Sequence, residues 1–109
     1  FWFYYFRVIP VTAHAAIDKG CFYFNIEARK ARLNSKYEVD MSHMESLIDG
    51  NTIMILGSAP NYPHGIIDPI EKIAKLAKKK NVGCHIDGCL GGFVGVFHPD
   101  FKGLFSLDR

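Results

Sequence analysis

The segment GCHIDGCLGG, residues 83–92, concentrates the side chains of this sequence that could do chemistry. It is typical of a short buried strand that ends at Asp87 and enters a glycine-rich turn. A carboxylate at the end of an apolar strand can pair with a cationic group of a ligand, an attraction of about 4 kcal/mol at ~4 Å with an effective dielectric of ~20. Gly88, Gly91 and Gly92 would let backbone and ligand approach closely. The pattern alone also allows an Asp that only caps its own turn.

A metal centre is the second chemistry that this segment suggests, because it holds two Cys, a His and an Asp. Alternation along a strand, however, puts Cys84 and Ile86 on one face and His85 and Asp87 on the other. The sequence has neither a C-x-x-C pair nor an H-E-x-x-H helix. We therefore expect no metal here, and we interpret His85 as a packed or hydrogen-bonded strand residue.

Three polar residues outside this segment could also reach a ligand. His14 lies in the stretch TAHAA, whose small side chains leave its ring exposed. It either makes a local hydrogen bond at a helix start or stacks on a planar ligand. Ser58 and His64 lie in the turn-rich segment 57–69, which either shapes a site or only joins two elements. The cysteines have no His–Asp arrangement that supports a nucleophile.

The elements that must position these residues alternate between strands and helices. Strand-like segments are FYYFRVIP, NIEARKARL, TIMILGS and VGCHID, and FKGLFSL could form a last strand. Helical segments are TAHAAIDKGCFYF, DMSHMESLIDG and DPIEKIAKLAKKK, with Thr12, Asp40 and Asp68 as predicted N-caps. This order predicts an α/β fold, a mostly parallel sheet with flanking helices.

Three of the candidate residues, His14, Ser58 and Asp87, follow strands in this scheme. Open α/β sheets bind ligands outside the carboxyl ends of their strands. We therefore expect these three side chains to lie along one edge of the sheet, although they are distant in sequence.

Composition limits the classes of function. The 109 residues carry a net charge of +2 and are 49% hydrophobic, which suits one small domain or part of a larger one. That charge is too small to indicate nucleic-acid binding, and the run Lys78–Lys80 is most simply a solvated helix end. The apolar start FWFYYF is far shorter than the roughly 20 residues of a membrane span. Three cysteines without a disulfide pattern favour a reducing compartment.

The segments TAHAAIDKGCFYF, NYPHGIIDPIEKIAKLAKKKNV and HIDGCLGGF, in this order, resemble the sphingosine-1-phosphate lyases. These are pyridoxal-phosphate (PLP) enzymes related to the group II decarboxylases, with the aspartate-aminotransferase fold type, fold type I. The resemblance begins near Val8 and is most specific over residues 51–93. It implies that residues 1–109 are a fragment of the large, PLP-binding domain of such an enzyme.

The resemblance also implies an activity and roles for matching positions. The intact enzyme would cleave a sphingoid-base phosphate by a retro-aldol reaction to a long-chain aldehyde and phosphoethanolamine, in sphingolipid metabolism. Asp87 resembles the aspartate that bonds the pyridine nitrogen of PLP and keeps it protonated, so that the ring can accept electrons. His14 resembles the histidine that stacks on the ring. Ser58 and His64 lie in a segment that lines the family's site.

The chain departs from the family pattern at several places. Ala13, Ala59 and Gly88 stand where the family usually has Ser, Thr and Ala, so hydroxyls or a methyl near the ring are lost. The family's upstream phosphate loop, its Schiff-base lysine and its C-terminal small domain are expected to lie outside residues 1–109. We therefore expect no catalytic residue within the chain and no turnover by these residues alone.

Other functions stay open beside this one. One is a group II amino-acid decarboxylase relative, which would release carbon dioxide and an amine. Others are a non-catalytic truncated product and a metal-binding module. The family implies a homodimer, located at the cytosolic face of the endoplasmic reticulum membrane for a eukaryotic-type enzyme and in the cytoplasm for a bacterial-type one. The chain itself holds no membrane segment.

Overall fold

A computed structural model describes residues 5–97 of the chain. Its sheet has four parallel strands: β1 (Phe6–Pro10), β2 (Glu27–Ala31), β3 (Thr52–Ser58) and β4 (Gly83–Asp87). The helices are α1 (Ala15–Tyr23), α2 (Met41–Ser46), α3 (Ile70–Lys80) and α4 (Gly91–Val94), and a 3-10 turn (Gly95–Phe97) follows. The predicted α/β fold with a mostly parallel sheet is confirmed. The predicted strand FKGLFSL lies outside the described residues.

The strands are arranged in the order β2-β1-β3-β4. The chain therefore passes from β1 to a neighbour on one side and returns to β3 on the other side, which makes the gap between β1 and β3 a switch point. Right-handed crossovers place α1 on one face of the sheet and α2 and α3 on the other. In agreement, α2 contacts α3, whereas α1 contacts β2.

The core lies between the sheet and the α2–α3 pair. Its fully buried members include Val8, Val39, Met44, Ile55 and Ile73, each with 0% of its surface exposed. Val, Met and Ile side chains each contribute about 1.5–3 kcal/mol when they are fully buried. Burial of this apolar stripe is therefore what holds α2 and α3 to the sheet.

Two strands differ in how completely they are covered. Ile55 and Leu56, adjacent in β3, are 0% and 1% exposed, so the second half of β3 is buried on both faces as its continuous apolar run predicts. Ile53, near the start of β3, is 38% exposed. Cys84 and Ile86 of β4 pack against the core, and burial raises the pKa of the Cys84 thiol. His85 points to the other face and is exposed, so its interpretation as a packed residue was wrong. In the described sheet β4 has only one neighbouring strand, and that leaves it half-buried.

The predicted helix caps are correct for one helix of three. Asp40 caps α2, because its carboxylate accepts hydrogen bonds from the backbone N–H groups of Ser42 and His43. Helix α1 is capped by His14 rather than by Thr12. Helix α3 begins after Pro69 without a side-chain cap. Asp68 was predicted as that cap, but its carboxylate points into the protein and bonds other segments.

Charged residues join the outer surfaces of α2 and α3. The carboxylate of Glu45 lies 3.2 Å from the ammonium groups of both Lys79 and Lys80. These contacts lower the pKa of Glu45. The lysine run is therefore a helix end on the surface, as predicted, but two of its three members also contact the neighbouring helix.

Candidate ligand-binding site

A cavity of about 430 Å³ opens at the carboxyl edge of the sheet. Its walls come from the segments that follow β1, β3 and β4, and they include His14, Ser58 and Asp87. It therefore lies beside the switch point between β1 and β3, where open α/β sheets bind ligands. The three side chains that the sequence predicts to share one edge of the sheet do share it.

Asp87 stands at the end of β4 and at the wall of the cavity. It is paired in register with Ser58 of β3, and its carbonyl accepts a hydrogen bond of 2.8 Å from the N–H of Ala59. Its Oδ1 also accepts a hydrogen bond of 3.3 Å from the N–H of Cys89. Asp87 therefore caps its own turn and lines the cavity, so the two interpretations of the sequence are compatible. The turn bond orients the carboxylate.

His14 is held at the start of α1 by a local hydrogen bond. Its Nδ1 accepts from the N–H of Ala16 at 3.1 Å, and its ring is exposed at the cavity. The cap bond thus restrains the ring at the cavity wall, where it can meet a ligand.

Ser58 is held in place by Asp68, a residue whose role the sequence did not indicate. Asp68 is 1% exposed, and its two carboxylate oxygens accept hydrogen bonds from the N–H groups of Ser58 (2.9 Å) and Val39 (2.8 Å). The N–H of Asp68 in turn donates to the carbonyl of Ser58 at 2.9 Å. Burial raises the pKa of Asp68, because desolvation of the charge outweighs the two N–H bonds. No local pattern distinguishes such a residue from a helix cap.

His64 is placed differently from the other three predicted site residues. Its ring stacks on Tyr37, with ring centroids 4.6 Å apart and an interplanar angle of 24°. The backbone N–H of His64 donates to the side-chain oxygen of Asn61 at 3.0 Å. Asn61 lines the cavity, whereas His64 does not. A direct contact of His64 with a ligand therefore stays a prediction.

Thr12 is a cavity residue that sequence reasoning missed. It was predicted to cap α1, but it lies in the turn after β1, where only 7% of it is exposed. It lines the cavity, and its hydroxyl has no hydrogen-bond partner among the described residues. A short polar residue before a helix is usually a cap, which is why the pattern suggested that role.

Gly91 brings α4 against the loop that follows β3. A Cβ at this position would overlap the carbonyl oxygen of Ala59, whereas one at Gly92 would meet nothing within 4 Å. The glycine-rich turn was expected to admit a ligand. At Gly91 the close approach is instead to the backbone of Ala59, and it holds two walls of the cavity together.

The described residues hold neither a cluster of metal-binding side chains nor a membrane-spanning helix. Within residues 5–97, no three His, Cys, Asp or Glu side chains are grouped so that they could hold a metal ion. Over the same residues, no helix is both long enough and apolar enough to cross a bilayer.

Comparison with known proteins gives concordant results. The sequence matches the aminotransferase class-V family over residues 12–92. It is 52% identical over 91 residues to the sphingosine-1-phosphate lyase of Dictyostelium discoideum. The aligned region covers 83% of this chain and 17% of that protein. The chain is 47% identical over 90 residues to a "Probable L-tyrosine/L-aspartate decarboxylase" of Methanosarcina acetivorans, which covers 83% of this chain and 23% of that protein.

A solved structure is similar as well. The sphingosine-1-phosphate lyase of Burkholderia pseudomallei superposes with a TM-score of 0.83 at 35% identity, over 90% of this chain and 24% of that one. The chain therefore spans less than a quarter of the length of each of these three relatives. The predicted resemblance to sphingosine-1-phosphate lyases is confirmed over most of the chain, and the chain belongs to the aminotransferase class-V family.

Proposed function

We propose that this chain forms the cofactor-facing wall of a PLP-dependent carbon–carbon lyase of the sphingosine-1-phosphate lyase type. The observation that carries the proposal is Asp87, a carboxylate at a strand end that lines the cavity together with His14 and Ser58. Identity of 52% to a sphingosine-1-phosphate lyase supports it independently. Residues 1–109 would belong to the large domain of that enzyme.

The chemistry of the lining residues fits PLP. The cavity of about 430 Å³ is within the roughly 300–1,000 Å³ of small-molecule sites. PLP offers a pyridine nitrogen for a carboxylate, a flat ring for an imidazole face, and polar substituents for a hydroxyl. Asp87, His14 and Ser58, which line the cavity from three segments, can supply these three partners.

When bound, PLP supplies an electron sink that stabilises a carbanion next to the substrate nitrogen. The role of Asp87 is to hold a proton at the pyridine nitrogen, through a carboxylate that the N–H of Cys89 already orients. Ser58, held on β3 by Asp68, fixes the neighbouring strand end against Asp87. His14, at the start of α1, would stack its imidazole on the face of the cofactor ring.

The proposed substrate is a sphingoid-base phosphate, cleaved to a long-chain aldehyde and phosphoethanolamine. The names of the Dictyostelium and Burkholderia relatives support this choice.

We also propose that the whole enzyme is a homodimer, at the endoplasmic reticulum membrane in a eukaryotic-type protein and in the cytoplasm in a bacterial-type one. Sedimentation of the purified enzyme and imaging of a tagged copy would test these two points.

A segment exchange tests the proposed function. The matching segment of the Dictyostelium lyase is replaced by this chain, and the resulting protein is called the grafted lyase. We expect it to bind PLP, seen by visible absorbance, and to release long-chain aldehyde from a sphingoid-base phosphate. Asp87→Asn should fold equally well but lower the rate by about 10³-fold, because an attraction of about 4 kcal/mol is lost. Equal rates for Asp87→Asn and the grafted lyase would contradict the role of Asp87.

An amino-acid decarboxylase is the second candidate, since the Methanosarcina relative is 47% identical over 90 residues. The product distinguishes the two reactions. The same grafted segment, placed in the Methanosarcina protein, is assayed for carbon dioxide release from tyrosine and aspartate. Activity in the decarboxylase graft together with an inactive but PLP-loaded lyase graft would favour the decarboxylase.

A further inference from the structure

One wall of the cavity is a short loop, residues 61–66, which we call the cavity loop. Asn61, Tyr62 and Gly65 of this loop line the cavity. The N–H of Asn61 donates to the carbonyl of Ile66 at 2.8 Å, and the carbonyl of Asn61 accepts from the N–H of Gly65 at 2.9 Å. Asn61 is 1% exposed, whereas Tyr62 beside it is 85% exposed. The cavity loop is therefore closed on itself by a buried residue, while its cavity side stays open to a ligand.

A turn that does not line the cavity contacts this loop from outside. The turn comprises residues 33–39, between β2 and α2, and an antiparallel backbone bridge joins its two ends. The ring of Tyr37 in this turn stacks on the ring of His64 in the cavity loop, with centroids 4.6 Å apart. The carbonyl of Tyr37 also accepts a long hydrogen bond of 3.5 Å from the side-chain nitrogen of Asn61. Tyr37 therefore contacts the cavity loop twice, through its ring and through its backbone.

Tyr37 has a backbone conformation that tyrosine seldom adopts. Its φ is 62°, in the left-handed region that is strained for residues with a large side chain and favours glycine. The other non-glycine residues with a positive φ among those described are Asn25 and Asn81, and asparagine tolerates this region. Tyr37 is 55% exposed, so burial of its ring does not explain its presence. The stack on His64 does, because glycine has no ring to make it.

The stacked residue His64 lies between two residues of the cavity wall. Tyr62 and Gly65, on either side of it in sequence, line the cavity, whereas His64 itself does not. A ring pair that holds His64 therefore restrains the backbone that carries these two residues. Binding is tighter when a wall is already ordered, because ordering a loop at the moment of binding costs conformational entropy. Strained residues are also concentrated at functional sites.

We propose that Tyr37 is a positioning residue, which holds the cavity loop in its ligand-binding conformation through the stack on His64. This inference rests on the proposed function, because PLP is taken as the ligand of the cavity. Tyr37 touches no ligand in this arrangement and acts only through the loop. His64 then serves the site by joining Tyr37 to the cavity wall.

The test is Tyr37→Gly in the grafted lyase, because glycine suits the positive φ and keeps the carbonyl but removes the ring. Three quantities are measured: the unfolding midpoint of the PLP-free protein, hydrogen exchange of the cavity-loop amides, and the Kd for PLP by absorbance titration. We expect the midpoint to stay unchanged or rise and the loop amides to exchange faster. The Kd should rise about fivefold, which corresponds to ~1 kcal/mol, the size of an aromatic pair interaction. Tyr37→Phe keeps the ring and should bind PLP within about twofold of the parent.

Two further variants serve as control and as second test. Asn81→Gly makes the same kind of change at a residue with a φ of 54°, at the end of α3, and should leave the Kd for PLP unchanged. His64→Ala removes the ring pair from its other side and should raise the Kd as much as Tyr37→Gly does. The double variant should then bind PLP no more weakly than either single one, because both changes break the same contact.

Each outcome decides between the two proposals. If Tyr37→Gly binds PLP as tightly as the parent, the role of Tyr37 is wrong and the proposed function stands. If Tyr37→Gly lowers the PLP-free midpoint or does not fold, Tyr37 is a structural residue and the inference is also wrong. If the effects of Tyr37→Gly and His64→Ala on the Kd multiply in the double variant, the stack does not join them and the inference is wrong. If the parent graft folds but binds no PLP, both the inference and the proposed function are wrong.

Discussion

The α2–α3 face of the sheet and its carboxyl edge differ in how completely their polar groups are paired. On the α2–α3 face, Asp40 accepts hydrogen bonds from two backbone N–H groups, and Glu45 contacts two lysines. At the carboxyl edge, the hydroxyl of Thr12 is unpaired among the described residues. Within residues 5–97, the Asp87 carboxylate accepts a single hydrogen bond, from the N–H of Cys89.

This difference distinguishes polar groups that stabilise the fold from polar groups that can still bind a ligand. Polar groups that are fully paired inside the protein stabilise it, whereas unpaired ones cost stability unless a ligand pairs with them. Functional sites are commonly the places where proteins accept that cost. Asp68 belongs to both regions, because it bonds Val39 before α2 and Ser58 at the cavity.

The largest effect is expected from Asp68→Ala, which should weaken both regions at once. It leaves the N–H groups of Val39 and Ser58 unpaired in a buried place, at about 1–3 kcal/mol for each. We expect a lower unfolding midpoint and weaker PLP binding in the grafted lyase. Asp49→Ala is the control, since Asp49 also accepts from a backbone N–H, that of Asn51, but is exposed. Equal losses in the two variants would show that Asp68 is only another turn residue.

A smaller loss of stability is expected from Gly91→Ala, which acts at the cavity edge. The added methyl overlaps the carbonyl of Ala59, so the backbone must shift, at about 1–3 kcal/mol. Gly92→Ala adds the same methyl to open space and should change the midpoint little. We expect the PLP affinity to fall only for Gly91→Ala. If both variants behave alike, contact between α4 and the loop after β3 does not shape the cavity.

Asp40, on the α2–α3 face, should make the stability of α2 depend on pH. Hydrogen bonds from Ser42 and His43, together with Arg32, hold the pKa of Asp40 well below its ordinary value of 3.8. A carboxyl group with a lowered folded-state pKa stabilises the fold above its unfolded pKa, and this contribution is lost as the pH falls through the folded value. The protection of α2 amides, measured relative to the exchange of the unfolded chain at the same pH, should therefore fall in acid.

Asp40→Asn is the matched control, because Asn can still cap a helix but does not titrate. We expect the protection of α2 in this variant to be lower than in the parent at neutral pH and nearly equal to it in strong acid. A difference between the two proteins that stays constant with pH would mean that the Asp40 charge contributes nothing.

The smallest effect is expected from Glu45→Gln, because surface ion pairs are weak and screened by salt. The change removes the contacts of Glu45 with Lys79 and Lys80. At low salt, α2 and α3 amides should exchange slightly faster, and at high salt the difference should vanish. Glu71→Gln is the control, since Glu71 has a single lysine contact at 3.8 Å within α3. A salt-independent loss would indicate packing rather than charge.

Much of the fold was predictable because its signals are local. The continuous apolar run of β3 predicts a strand covered on both faces, and the helical spacing of Ile70, Ile73 and Leu76 predicts the buried stripe of α3. Ile55 and Ile73 are both 0% exposed. The Asp40 cap was also correct, since the side chain bonds N–H groups two and three residues away. The cap predicted at Asp68 was wrong, because its carboxylate finds partners 10 and 29 residues away. Partners at such distances leave no local pattern.

The sequence by itself determined the strand and helix order, the family resemblance, and the expectation that His14, Ser58 and Asp87 share one edge. The order and the shared edge follow from periodicity and from the rule that parallel strands end on one side. The resemblance rests on the segments 12–24, 61–82 and 85–93. Only the tertiary structure decided that Thr12 is a cavity residue, that Asp68 joins two regions, and that His64 stacks on Tyr37. Burial and pairing depend on residues from distant segments, and these meet only when the chain folds.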